Sequence, residues 1–168
     1  LRGYCKYLLQ VGVPFSQAYV EATLGRYPLM ARLLVELFEA RFDPSTGSES
    51  KAEIQQGREV FARQLHKIAG GDAATMGILE PVLQARAATR ERQVEATRTA
   101  LFGLMDRVSS LDEDRILRSY IGVMDATLRT SYYLNVRGRP RADGGPRDYV
   151  SFKLDSSRVP DLPNPRPY

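Results

Sequence analysis

Few residues in this chain have the type and spacing that chemistry needs. Cysteine and histidine each occur once, as Cys5 and His66. A nucleophilic thiol needs a base beside it, and nothing in the sequence brings His66 to Cys5. Cys5 falls at helical spacing among Tyr4, Tyr7 and Leu8, the setting of a buried, inert thiol. A single cysteine excludes an internal disulfide and a cysteine-based zinc site. A transition-metal site would have to rest largely on carboxylates. Asp112, Glu113 and Asp114 stand in a row, but consecutive helical residues point in different directions and do not converge on a cation. They suit a helix start better, because Ser110 and Glu113 have capping-box spacing and acids favour the positive end of the helix dipole.

One stretch, "RTSYYL" at residues 129–134, offers a candidate binding surface: Arg129 beside Tyr132 and Tyr133. The plainer reading has the tyrosines closing over a core while Arg129 neutralises a helix C-terminus. His66, next to Lys67, reads as a surface residue. Arg137, Arg139, Arg141 and Arg147 cluster in a Gly/Pro-rich loop, where a solvated segment is favoured over a phosphate site. The glycine-rich signatures for dinucleotides and phosphates are missing, as are the zinc-protease helix motif and the serine nucleophile elbow. Residue chemistry therefore assigns no catalytic residue, no cofactor-binding residue and no metal ligand.

Composition narrows the class further. The 168 residues are 43% hydrophobic and 26% charged, with a net charge of +4. Residues 135–168 hold seven Arg/Lys and four Asp, so the preceding 134 are nearly neutral. Nucleic-acid binders concentrate basic residues on one face, so no nucleic-acid partner is expected. No apolar run approaches the roughly 18 residues of a membrane span. A cytoplasmic chain is expected, with no membrane partner. Starting at Leu1 without an initiator Met or secretory segment, it reads as a piece of something longer.

The elements follow from apolar spacing. Tyr4, Tyr7, Leu8 and Val11 predict a short helix over 1–11, closed by Gly12 and Pro14. Ser16 caps a second helix, 17–26, and Pro28 opens a third, 29–42, with a wide apolar stripe. After a polar linker at 44–50, a helix over 51–69 ends at Gly70-Gly71. Residues 73–108 are helix-forming, with Pro81 expected to kink or restart the helix. Val94, Thr97, Leu101, Leu104 and Val108 form a heptad-like seam. A last helix, from about 109 to 134, carries Leu117, Ile121, Met124 and Leu128. These seams predict a long-helix hairpin. Residues 149–154 alternate like a one-faced strand with no evident partner, and four prolines follow. The fold class is mainly α: a multi-helix bundle around a central long-helix hairpin, with a C-terminal extended or β segment. Residues 1–134 form the helical domain (short helices 1–43, linker 44–50, long helices 51–134). Residues 135–168 form a loop, strand and Pro-rich connector.

Three stretches carry a resemblance: "LRGYCKYLLQVGVPFSQAYVEATLGRYPLMARLLVELFEARFDP" (1–44), "SSLDEDRILRSYIGVMDATLRTSYY" (109–133) and "SFKLDSSRVPDLPNPRP" (151–167). They are similar to segments of the very large bacterial NAD-specific glutamate dehydrogenases. Ser131 stands where an asparagine is usual and Leu154 where phenylalanine is common. The resemblance implies a parent enzyme that oxidatively deaminates L-glutamate to 2-oxoglutarate and ammonium while reducing NAD+. It implies the helical region just before the catalytic domain, with the family's catalytic residues and dinucleotide-binding glycines beyond Tyr168. The fragment would then be non-catalytic and hold no cofactor, NAD belonging to the parent. Its partners would be neighbouring domains of the same chain, in a homo-oligomeric parent. Its role would be structural, inter-domain or regulatory. The alternative is a stand-alone helical binding module without enzymatic activity.

Overall fold

The computed structural model describes residues 1–133, 150–160 and 162. Among these are seven helices: α1 Arg2–Gln10, α2 Gln17–Arg26, α3 Pro28–Phe42, α4 Lys51–Ala69, α5 Ala73–Ala85, α6 Arg90–Met105 and α7 Leu111–Ala126. Two short strands follow, β1 Thr127–Thr130 and β2 Phe152–Leu154, and then a 3-10 turn at Ser156–Arg158. The mainly helical class with a small β element agrees with expectation. The first four helices begin and end within a residue or two of their predicted bounds. Local chemistry explains this: Ser16 accepts from the Tyr19 amide at 3.2 Å, and Pro28 occupies the first turn of α3. The linker ends in a full capping box that the sequence reading did not identify, with Ser50 and Glu53 bonding each other's backbone amides at 3.3 and 2.8 Å.

Pro81 does not restart the helix; it lies inside α5, which continues through it, and it is exposed. An interior proline costs about 3 kcal/mol. Leu79, Val82 and Leu83 are almost fully buried, and each contributes about 1.5–3 kcal/mol by burial. Packing therefore outweighs the lost backbone bond. The break falls later, where Thr89 caps α6 by accepting from the Arg92 amide at 3.4 Å.

The helices share one core. It joins Tyr4 and Leu8 of α1, Leu33, Leu34 and Leu37 of α3, and Phe61 and Leu65 of α4. Leu79 of α5, Leu101 of α6 and Leu117, Tyr120 and Ile121 of α7 complete it. The hairpin differs in detail from the predicted pairing. α6 packs most closely on α5 and α3, while α7 lies against α1, α2 and α3. α6 and α7 meet through side chains, with Arg98 on Asp125 at 3.0 Å and Arg118 over the Phe102 ring at 6.0 Å. Thr97, Leu101 and Leu104 are buried as predicted, whereas Leu128 is 50% exposed and leaves the seam.

The last helix does not run to residue 134. α7 stops at Ala126 and the chain becomes β1, antiparallel to β2 with Thr127 opposite Leu154, Arg129 opposite Lys153 and Thr130 opposite Phe152. The strand that lacked an evident partner thus pairs with residues expected to be helical. Distant groups impose this switch. Arg41 donates to the Thr127 and Asp125 carbonyls at 2.9 and 3.4 Å, and the Asp155 amide donates to the Ala126 carbonyl at 2.8 Å. These donors satisfy carbonyls that a longer helix would have bonded internally. Past β2, the chain lies along α7, with Val159 buried and Pro160 seated on Gly122.

Candidate functional site

A cleft of about 670 Å³ opens beside the two strands. Arg41 and Phe42 at the end of α3, Arg90 at the start of α6, Leu128–Ser131 and Ser151–Lys153 line it. Four of these residues are cationic. A register irregularity between Thr127 and Arg129 marks a bulge, which re-aims side chains on the bulged strand. Arg41 pairs with Asp125 at 3.5 Å, and its burial lowers its pKa. Arg90 donates to the Ala40, Asp43 and Thr46 carbonyls at 2.8, 2.7 and 3.2 Å, closing the C-terminal end of α3.

The predicted trio of Arg129, Tyr132 and Tyr133 is divided. Arg129 lines the cleft. Tyr132 and Tyr133 pack on Phe38 instead, with ring centroids at 5.3 and 6.0 Å, and on each other at 5.0 Å. Burial pushes the Tyr133 phenol well above its usual range. Arg129 does not neutralise a helix end; Arg41 bonds the carbonyls there. The aromatic cluster extends from Phe38 to Tyr4 at 6.1 Å, and Tyr4 stacks on Phe152 at 4.5 Å.

The remaining candidates have structural surroundings. Cys5 is buried and neighbours the Tyr120 hydroxyl, whereas His66 is exposed on α4. Glu113 does not return its carboxylate to Ser110. It is buried, accepting from Tyr27 at 2.6 Å and pairing with Arg26 at 2.5 Å. Asp114 pairs with Arg118 at 2.8 Å. Among the described residues no group of three or more His, Cys, Asp or Glu is placed to hold a metal ion. A second hollow, about 200 Å³, contains Glu36, Glu39 and Glu53. Its most buried acid, Glu36, is already bonded by Arg32 at 3.2 Å and by Arg86. Those two guanidinium groups lie over Phe61 at 4.5 and 5.0 Å, so this cluster ties α3, α4 and α5 together. Arg137, Arg139, Arg141 and Arg147 lie outside the described residues. No described helix is long and apolar enough to cross a membrane.

Comparisons with known proteins divide the chain in a way that bears on this geometry. Residues 1–44 match the glutamate dehydrogenase helical motif 3 model. Residues 100–168 match the bacterial NAD-glutamate dehydrogenase catalytic domain model, which begins inside α6, earlier than the resemblance alone implied. NAD-specific glutamate dehydrogenases of Mycobacterium tuberculosis and Halomonas elongata are 33% and 34% identical over 167 residues. That of Pseudomonas aeruginosa is 30% identical over the same length. Each alignment covers 99% of this chain and 8% of the relative. No solved structure matches the chain.

Proposed function

Given that the chain belongs with the large NAD-specific glutamate dehydrogenases, we propose that it is a non-catalytic joint. It binds the helical-motif region to the opening of the catalytic domain in one core. The parent enzyme, in this reading, is a cytoplasmic homo-oligomer that oxidises L-glutamate to 2-oxoglutarate and ammonium with reduction of NAD+. The glycine-rich and catalytic elements for that chemistry lie elsewhere in the parent.

The observation that carries this reading is the interlock between residues 1–44 and residues 100–168. Tyr4 stacks on Phe152 at 4.5 Å and hydrogen-bonds Thr127 at 3.1 Å. Tyr27 and Arg26 share the buried Glu113 carboxylate, and Arg41 bonds the end of α7. The two family regions thus meet through a stacked ring pair, a shared buried carboxylate and a backbone cap. A joint of this kind transmits displacement when its parts are bistable, as packed cores are.

The test is made in the full-length enzyme. Tyr4→Leu removes the stack and the hydrogen bond, at a cost of about 1–3 kcal/mol in stability. Glutamate oxidation and assembly are expected to fall with it. Unchanged kcat/KM and an unchanged oligomeric state, despite lowered stability, would sink the proposal. So would glutamate oxidation, or micromolar NAD+ binding, by the 168-residue chain alone.

A further inference from the structure

The cations around the cleft are only partly accounted for by the fold. Arg41 has Asp125 as a counter-charge, but Arg90 is bonded to three neutral carbonyls. Arg129 and Lys153 stand directly opposite each other on paired strands, where Cβ atoms lie about 4.5–5.5 Å apart. Neither side chain has an acidic partner among the described residues. Like charges directly opposite each other on paired strands are destabilising. Ser131 adds a donor at the same place. Its oxygen accepts from the Ser151 amide at 2.9 Å, which leaves the hydroxyl proton to be donated. Phe42, Leu128 and Phe152 supply the apolar part of the remaining wall, and Thr130 and Ser151 the polar part.

We propose that this cleft binds a compact dianion through phosphate or carboxylate oxygens held between Arg129 and Lys153, with Arg90 behind them. The anion converts a repulsive cross-strand pair into two charge-assisted contacts. It thereby tightens the pairing of β1 with β2, next to the interlock described above. This inference does not depend on the joint role, because a binding measurement tests it without reference to activity.

The experiment titrates the 168-residue chain with inorganic phosphate and, separately, with malonate, by calorimetry at low and high salt. Saturable binding of one anion per chain is expected, weakening as salt rises. The double variant Arg129→Gln with Lys153→Gln is expected to lose at least about tenfold in affinity. Lys67→Gln, exposed on α4, is expected to lose none. Tighter phosphate binding identifies a phosphoryl ligand; tighter malonate binding identifies a dicarboxylate. Absence of saturable binding by either anion overturns the proposal, as does equal affinity in the double variant. Should the double variant lose its helical circular dichroism, Lys153→Gln alone decides on the same criterion.

Discussion

Pro160 occupies the space where a side chain at residue 122 would stand. A Cβ built on Gly122 would lie 2.3 Å from Pro160 Cγ, closer than any real contact. Gly3 is used in a similar way at the other end of the chain, where the Phe152 ring comes within 3.0 Å of a built Cβ. These two notches seat the segment after residue 150 on α7 and α1. By helix propensity alone, Gly122→Ala would stabilise α7 by about 1 kcal/mol. The overlap reverses the sign, and a net loss of about 1–3 kcal/mol is expected in thermal unfolding. Gly77→Ala supplies the control, since its Cβ meets nothing within 4 Å and the site is exposed. It is expected to gain about 1 kcal/mol. Equal responses of the two variants would show that Pro160 does not seat there. Neither notch was legible in the sequence, because a glycine's neighbour across the fold leaves no local trace.

At the scale of elements, the change from α7 to β1 depends on Arg41. Its guanidinium satisfies the Thr127 and Asp125 carbonyls from a helix more than eighty residues earlier in the chain. Arg41→Met keeps the apolar stem and removes these bonds, at an expected cost of about 1–3 kcal/mol. Hydrogen exchange is expected to quicken first at the amides of β1 and β2. Exchange that quickens uniformly, or not at all, would count against Arg41 as the terminator. The sequence reading extended α7 to residue 134 because Leu128 continued its apolar spacing. That spacing was real, but the backbone bonds that end the helix come from residues no local window includes. For the same reason β2 looked partnerless. Helices α1 to α4 were legible because apolar spacing, the Ser16 cap, the proline at the first turn of α3 and paired glycines act within a few residues.

For the whole molecule, burial of phenols sets an alkaline limit. Burial pushes Tyr4 up to about 12, and it raises Tyr120 and Tyr133 further. Tyr27 is raised chiefly by its hydrogen bond to Glu113. A raised phenol stabilises the fold fully below the unfolded value, near 10, and loses that contribution as pH climbs through the folded value. Resistance to denaturant is therefore expected to fall between about pH 10 and 12. These tyrosines should ionise together with unfolding, as read by tyrosinate absorbance. Ordinary titration of all nine tyrosines near pH 10 in a folded chain would contradict it. The phenols sit where α1, α2 and α3 meet α7 and the strands, so the same measurement reports on the interlock.

By itself the sequence determined the helical class, most helix boundaries, the absence of familiar catalytic motifs and the family resemblance. These rest on short-range spacing or on motifs read along the chain. Only the tertiary structure decided that α7 gives way to a strand, that Arg129 parts from its two tyrosines, and that four cations line one cleft. Each of those outcomes depends on contacts between residues far apart in the chain. Arg41 reaches Thr127, Phe38 collects Tyr132 and Tyr133, and β2 brings Lys153 opposite Arg129. The energies of such contacts are comparable to local propensities, and that is why they override them here.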